Sequence, residues 1–550
     1  MMKEFTPKLF DVLKHYTGQQ FVKDVVSGII VAIIALPLSI ALALASGVSP
    51  EQGIYTAIFA GFVISFLGGS RVQISGPTAA FATIVAGIVA ENGMQGLVVA
   101  TIMAGIILIL MGLFKFGNLI RFIPYTITTG FTIGIAVTIF IGQIKDFLGL
   151  TFQKAPIDAI GKVKECIACI DTFNWQALAV GMVCMVILIF WPKLTEKIPP
   201  SLIAVIVSIV MVKALKMDVK TIGDLYTISN KLPGISVPEI NMDIVRKLLP
   251  DAFTIAILAG IESLLSCVVS DGMIGSRHKP NMELVAQGAG NIVSGLFGGI
   301  PATGAIARTA ANVKSGGRTP IAGMVHSVTL LVILVVLMPY AAWIPMPAIA
   351  AILFMVAYNM SGWREFLHLL KTSPKSDILV LVTTFVLTVW FDLVVAIEIG
   401  LVLAALLFLK RMSDVTEIKS WEYLGEEIDE ENDPDKISLR KVPKHTLVYE
   451  INGPMFFAAA DKFMQISTEP GIRVVILRMR SVPAMDITAL HSLEKIMATC
   501  KKRGITLLMS HVQEQPMSMM RKAGFDQKVG EENFCAHIDD ALARAEQLDA

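Results

Sequence analysis

Gly299-Ile-Pro-Ala-Thr-Gly-Ala-Ile-Ala-Arg308-Thr309 breaks an apolar stretch with a proline, two glycines and a lone arginine. Gln73-Ile-Ser-Gly-Pro-Thr-Ala-Ala-Phe81 breaks another in the opposite half of the chain. Both breaks lie in membrane-grade sequence, where an interrupted helix is costly unless it lines a cavity. A matched pair of this kind points to the substrate site of an inverted-repeat transporter. The breaks therefore predict a polytopic helical membrane fold, with Gly76, Pro77, Pro301 and Gly304 shaping two half-helices.

The surrounding composition agrees. The chain has 550 residues, 54% hydrophobic and 17% charged, too apolar for a soluble protein of that size. Val25 to Pro50, Asn92 to Phe114, Phe122 to Ile144 and Thr319 to Trp363 contain no Asp, Glu, Lys or Arg. At roughly 20 apolar residues per span, the first three suit one helix each and the fourth two. The net charge of +1 argues against nucleic acid as a partner. Met1 to Asp24 is too polar for the apolar region of a cleavable signal peptide. The six cysteines make no disulfide framework. Cys166-Ile-Ala-Cys169 is a solitary pair without thioredoxin-like context, and packing is the default for Cys184, Cys267, Cys500 and Cys535.

Fourteen spans are predicted, centred near Ala35, Phe62, Thr83, Ile106, Gly134, Val183, Ile206, Gly260, Asn291, Ala307, Leu330, Phe354, Thr384 and Val402. Lysine and arginine in short loops mark the cytoplasmic side. Lys3, Lys8, Lys14 and Lys23 put the N-terminal arm there. The even-numbered exits carry Arg71, Lys115 with Arg121, Lys193 with Lys197, Arg277 with Lys279, Lys314 with Arg318, Arg364 with Lys371 and Lys375, and Lys410-Arg411. The turns near Tyr340 and Asp392 lack basic residues, whereas Lys145 to Lys164 and Lys213 to Lys247 are longer and of mixed charge. Both termini are thus expected in the cytoplasm. The breaks fall in spans three and ten, which correspond if two repeats of seven are inverted relative to each other.

The expected organisation is a cytoplasmic arm over 1–24, a transmembrane domain over 25–411, a charged linker over 412–444 and a cytoplasmic domain over 445–550. Glu426-Glu427-Ile-Asp-Glu-Glu-Asn-Asp433 marks the linker as solvated. Beyond it, strands are read at Thr446 to Ile451, Val474 to Met479 and Ile505 to Met509. Helices are read at Ile487 to Lys501, Met517 to Ala523 and Ile538 to Gln547. That alternation predicts a small α/β domain.

Within the membrane, Glu262 stands in the otherwise uncharged run Ala252 to Ser270. Burying its charge costs several kcal/mol, so an acid at that depth marks a functional site by default. Desolvation moves a carboxyl toward the range where it can carry a proton, which suggests a coupling role. Ser266, four residues on, shares its helix face, with Ser263 nearby. The plain alternative is a protonated Glu262 bonded to backbone, or a fixed ion pair with Arg308. Arg308 lies beside a helix start, where free N–H groups and the helix dipole attract anions. Its planar fork suits oxyanions. A second helix start near Thr78 aims at the same point. The alternative for Arg308 is to snorkel to the cytoplasmic surface with Lys314. Asp392 and Glu398 read as boundary residues, and His326 as an imidazole meeting a packing hydrogen bond. No metal-ligand cluster, nucleophilic triad or phosphate loop is present, so neither an enzyme nor a cofactor or metal is expected.

At these residues the chain resembles the sulfate permease (SulP) family of anion transporters. The carriers are Gln73-Ile-Ser-Gly-Pro-Thr78, Gly260-Ile-Glu-Ser-Leu-Leu-Ser266, Asn281-Met-Glu-Leu-Val-Ala-Gln-Gly-Ala-Gly-Asn291, Gly298 to Asn312, and Ser315-Gly-Gly-Arg-Thr319. The tail resembles that family's STAS domain, similar to anti-sigma-factor antagonists. The resemblance implies a core domain and a gate domain with the anion between the half-helices of spans three and ten. It places Thr78, Ala79, Ala307, Arg308 and Thr309 at the anion, bordered by Glu262 and Ser266. An acid at Glu262 with Ser266 implies proton rather than sodium coupling. Asp271-Gly-Met and Gly453-Pro-Met-Phe-Phe-Ala-Ala-Ala460 resemble the branch that handles C4-dicarboxylates such as succinate, without reading out a substrate. In the STAS domain, Asp486-Ile-Thr-Ala489 stands where antagonists have Asp-Ser-Ser-Gly. Thr488 occupies the phosphorylated position, but a docking role with a cytoplasmic partner, or a dimer-stabilising one, is as compatible.

The implied protein is a homodimeric inner-membrane transporter, a proton symporter of sulfate, dicarboxylate or bicarbonate with an elevator-type core. An anion channel and a membrane-anchored STAS signalling protein are the rival readings.

Overall fold

The computed structural model describes every residue except 1–3, 119–123, 155, 157, 196–197, 230, 236, 239–240, 392, 416, 422–440, 458–470 and 550. Lys3, Arg121, Lys197 and Asp392 lie outside the described residues, as do the acidic run 426–433 and residues 458–460. The chain forms two compact units, Met1–Leu401 and Val402–Ala550.

The first unit begins with α1 (Lys8–Leu13), α2 (Gly18–Ala45), α3 (Pro50–Tyr55), a π-helical turn (Thr56–Ala60) and α4 (Gly61–Leu67). Strand β1 (Ser75–Gly76) and a 3-10 turn (Ala79–Phe81) lead into α5 (Ala82–Leu113). Then come α6 (Tyr125–Leu148), α7 (Ala159–Ala168), α8 (Trp175–Leu194), α9 (Pro200–Ala214), α10 (Ile222–Leu225), α11 (Met242–Ile274) and α12 (Pro280–Leu296). Strand β2 (Thr303–Gly304) precedes α13 (Ile306–Lys314), α14 (Pro320–Ala341), α15 (Met346–Ser361), α16 (Trp363–Thr372), α17 (Lys375–Trp390) and α18 (Leu393–Val415), the last running on into the second unit. All fourteen expected span centres fall in helices. Spans three and four share α5, kinked at Gly93, whose φ of 67° departs from the helix. Among the described residues, seven helices are long and apolar enough to cross a membrane.

The helices pack in two groups. In one, α5 packs on α11 and α12, α14 on α2 and α4, and α13 on α11 and α2. In the other, α6 packs on α15 and α17, and α8 on α9 and α15. Small residues allow the close contact of α5 and α12, as in membrane helix pairs generally. A Cβ on Gly105 would lie 2.6 Å from the Gly288 carbonyl oxygen.

The N-terminal arm is tied to the first group. Lys279 Nζ donates to Asp11 (2.6 Å) and to the Thr6 carbonyl (3.0 Å), Asn281 Nδ2 to Glu4 (2.6 Å), and Lys8 N to the Gly68 carbonyl (2.9 Å). Next to it, Asp24 is fully buried in α2 and accepts from Tyr16 OH, Gln20 Nε2, Arg318 N and Thr319 Oγ1, the last at 2.6 Å. The Lys279 ammonium, hydrogen-bonded to Asp11, holds that carboxyl below the usual carboxylate range. A lowered carboxylate contributes docking that is present at neutral pH and lost as pH falls through the lowered value. Because the pair is partly exposed, its worth is about 1 kcal/mol or less. Asp11→Asn should raise amide exchange over Lys8–Leu13 severalfold at neutral pH, about fivefold at most. In the wild type the same rise should appear only once pH falls through the lowered Asp11 value, below the usual carboxylate range, after correction for intrinsic exchange. Unchanged protection in the variant would contradict this contact.

The second unit is an α/β domain built on a five-stranded sheet, β3 (Glu417–Trp421), β4 (Thr446–Asn452), β5 (Val474–Ser481), β6 (Thr506–Ser510) and β7 (Phe534–Cys535), in that spatial order. Strands β4 to β7 are parallel and β3 is antiparallel to β4. Its helices are α19 (Ile487–Lys502), α20 (Glu514–Lys522), α21 (Phe525–Val529) and α22 (Ile538–Asp549). Alternation along β4 sends Leu447, Tyr449 and Ile451 to one face, against Leu490, Leu493 and Ile496 of α19. Val448 goes to the other face, with Ile476, Leu508, Ala541 and Leu542. Strand β3 was not expected; it lies in the stretch read as linker, where alternating charges conceal an edge strand.

Candidate functional site

The two breaks meet. β1 and β2 pair antiparallel, Ser75 opposite Gly304 and Gly76 opposite Thr303, and Ala305 N donates to the Ile74 carbonyl at 2.9 Å. Each strand leads within a few residues into a helix start, Ala79 on one side and Ile306 on the other. Backbone polar groups unpaired at membrane depth would each cost several kcal/mol, and side chains meet those that the ladder leaves. Asn291 Oδ1 accepts from Ala302 N (2.9 Å) while its Nδ2 donates to the Ala302 carbonyl (2.9 Å). Thr56 Oγ1 accepts from Ile300 N (2.7 Å), Ser294 Oγ donates to the Ile300 carbonyl (2.7 Å), and Asn312 Nδ2 to the Val72 carbonyl (2.8 Å).

Arg308, on the first turn of α13, does not snorkel. It is 4% exposed, and its Nη2 donates to the Pro77 carbonyl on the other break. Nη1 is buried without a partner among the described residues. The guanidinium lies against Gly76, where an added Cβ would sit 2.7 Å from Nη1 and 3.4 Å from Ala57 Cα. Gly76 is outside the positive-φ region, so alanine there perturbs by size alone. Gly76→Ala is expected to displace the guanidinium and raise the apparent KM for the transported anion about tenfold or more. A wild-type KM in the folded variant would contradict the contact.

Glu262 is half-buried on α11 and accepts a hydrogen bond from Thr78 Oγ1 at 2.9 Å. It forms no salt bridge to Arg308 within 4.0 Å, so the fixed ion pair is not present. Thr309 Oγ1 accepts from Ile74 N (3.0 Å) and from Ser266 Oγ (3.4 Å), which turns these two buried hydroxyls toward the ladder. Ala79 is buried, whereas Ile306 and Ala307 are exposed on the first turn of α13. His326 does not have the packing partner expected of it: it is 1% exposed, with neither ring nitrogen bonded among the described residues. Among the described residues, no three His, Cys, Asp or Glu side chains are grouped to hold a metal.

Sequence reasoning missed a second carboxylate. Glu283 on α12 is fully buried and accepts five hydrogen bonds. Oε2 takes them from Gly69 N (2.9 Å) and Ser70 N (3.2 Å). Oε1 takes them from Gln73 Nε2 (2.7 Å), Gln287 Nε2 (2.9 Å) and Ser263 Oγ (3.0 Å). The signal was there: Glu283, Gln287 and Asn291 recur every four residues and so share one face of the helix.

In the second unit, Asp486 caps α19 by accepting from Ala489 N (2.8 Å) and also accepts from Phe457 N (2.8 Å). Thr488 is exposed in the first turn that follows.

The sequence profile of the sulfate permease family matches residues 21–384, and that of the STAS domain residues 436–541. YvdB of Bacillus subtilis (strain 168) is 40% identical over 534 residues, 96% of this chain and 98% of its own. Bicarbonate transporter BicA of Picosynechococcus sp. is 30% identical over 495 residues, 86% of this chain and 85% of its own. The transmembrane domain of a cyanobacterial BicA superposes with a TM-score of 0.62 at 29% identity, covering 71% of this chain and 98% of that one. The murine Solute Carrier 26 family member A9 anion transporter superposes with a TM-score of 0.88 over 99% of this chain and 94% of its own, at 18% identity, a likeness of fold. Fold and matches together define a multi-pass membrane anion transporter, not an enzyme. The chain belongs to the sulfate permease (SulP) family and carries that family's C-terminal STAS domain.

Proposed function

We propose that the protein is a homodimeric secondary active transporter of the inner membrane, with both termini cytoplasmic, carrying a small anion together with protons. Bicarbonate, sulfate and C4-dicarboxylates such as succinate are the substrate classes, the first being what BicA is named for. The observation that carries this reading is the unpartnered Nη1 of Arg308, buried beside two helix starts. A buried donor of that kind needs an acceptor, and a fixed cation with two positive helix ends selects an anion. Thr78, Ala79, Ala307, Thr309 and Ser266 complete the site.

Glu262 is the proton carrier. Protonating it beside a bound anion keeps the moving site near neutral, which offers a physical reason for coupling. The helix group around the ladder acts as the core and the group around α6 as the gate, and the core shifts in an elevator-like step. Helix packing that falls mainly within two groups, joined where α2 meets α9 and α15, supports that division. In the STAS domain, exposed Thr488 serves as a contact or modification point for a cytoplasmic protein.

Counterflow of radiolabelled succinate, sulfate and bicarbonate in proteoliposomes at two pH values tests the reading. Saturable exchange of at least one anion, faster at the lower pH, is expected. Current that scales with voltage and never exchanges label would favour a channel, and no flux at all would leave the function to the STAS domain.

A further inference from the structure

We infer that Glu283 is a positioning residue of the anion site, setting the geometry of Arg308 and Glu262 without touching the anion. This rests on the transporter reading above.

The first ground is what Glu283 reaches. Its Oε2 holds the Gly69–Ser70 turn that feeds β1. Its Oε1 holds Gln73, one residue before the Ile74 whose N–H and carbonyl bind Thr309 and Ala305. The Gln73 amide packs against the Gly304 backbone of β2. Gln287, also bonded to Oε1, donates to Ser75 Oγ of β1 at 3.2 Å. Ser263, the third donor to Oε1, is the residue next to Glu262 on α11. One carboxylate thus joins both strands of the ladder to the helix that presents Glu262.

The second ground is arrangement. The ladder is gripped from two sides, with Gln73 against Gly304 and Arg308 against Gly76. A shift of either strand therefore moves Pro77, which receives Arg308, and Thr78, which donates to Glu262. The third is chemistry. All five groups at Glu283 are donors, and only a carboxylate offers two oxygens that both accept. Glutamine would turn an amide toward either the Gly69 and Ser70 N–H groups or the Gln73 amide, opposing like dipoles in a fully buried site.

The two carboxylates consequently divide their work. Glu262, half-buried with one bond from a hydroxyl, is free to exchange a proton. Glu283, saturated by five donors, stays as a fixed acceptor on which the ladder is hung.

The test compares Glu283→Gln and Gln73→Leu with wild type, each reconstituted and normalised to folded protein. The readouts are apparent KM and the pH profile of counterflow for whichever of succinate, sulfate and bicarbonate the wild type exchanges. The second variant keeps the Glu283 bonds to Gly69 and Ser70, so it carries the test if the first does not fold. A rise in KM of about tenfold or more in either variant, with a displaced pH profile, is expected. A lowered melting temperature with KM and pH profile unchanged per folded molecule would reduce Glu283 to a packing role and overturn the inference. A wild type that exchanges none of the three overturns both this and the transporter reading, so the two failures are told apart by the wild type.

Discussion

Arg308→Ala is expected to abolish saturable anion uptake while leaving the fold intact. The guanidinium is 4% exposed and spans the two breaks through its bond to the Pro77 carbonyl. Its free Nη1 is the site's buried, uncommitted donor. Removing one member of a desolvated charge contact costs about 2–5 kcal/mol, so affinity should fall about 30-fold or more. Arg308→Lys is also expected to fail, more mildly. Lysine keeps the charge but not the planar fork, and a single ammonium cannot hold Pro77 and still present a second donor at fixed geometry. Uptake in proteoliposomes at saturating and sub-saturating substrate separates the two variants. Near-wild-type KM in Arg308→Ala would contradict the assignment of the anion to this place.

Glu262→Gln should uncouple protons without removing the anion site. Glutamine is isosteric, and its carbonyl oxygen can still accept from Thr78 Oγ1, the bond seen at 2.9 Å. Counterflow, which needs the site to shuttle but no net proton movement, is expected to persist. Accumulation driven by a pH gradient is expected to vanish. One pH unit supplies about 1.36 kcal/mol per proton, a tenfold ratio for one coupled proton. The wild type should thus approach tenfold accumulation per unit, and the variant should show none. A variant that still follows the gradient would assign coupling to another group.

Much of this site was legible before the fold was known, because its signals are local. A proline and glycines inside an apolar run mark a break wherever the partner lies, and a lone arginine or glutamate at membrane depth stands out by cost. Apolar runs of span length, bounded by charged loops, placed all fourteen span centres in helices for the same reason. What local signals do not carry is pairing. Gly69 and Glu283 are 214 residues apart in sequence, and Ile74 and Thr309 are 235 apart. Nothing in either stretch names the other. Arg308 shows the limit well. Its charge was readable, but burial against Gly76 rather than escape toward Lys314 depends on the ladder, which only the folded chain creates. His326 shows the converse, since a packing partner was a reasonable expectation and the described neighbourhood supplies none. Strand β3 was concealed because an edge strand tolerates the alternating charges of a linker.

The central claim is that an anion bound at Arg308 moves together with a proton carried by Glu262. It is tested most directly by uptake of radiolabelled substrate into wild-type proteoliposomes under an inward proton gradient, with the membrane potential clamped at zero. Transient accumulation above the external concentration, collapsed by a protonophore, is the predicted result. Uptake that only equilibrates, at a rate indifferent to the gradient, would contradict it.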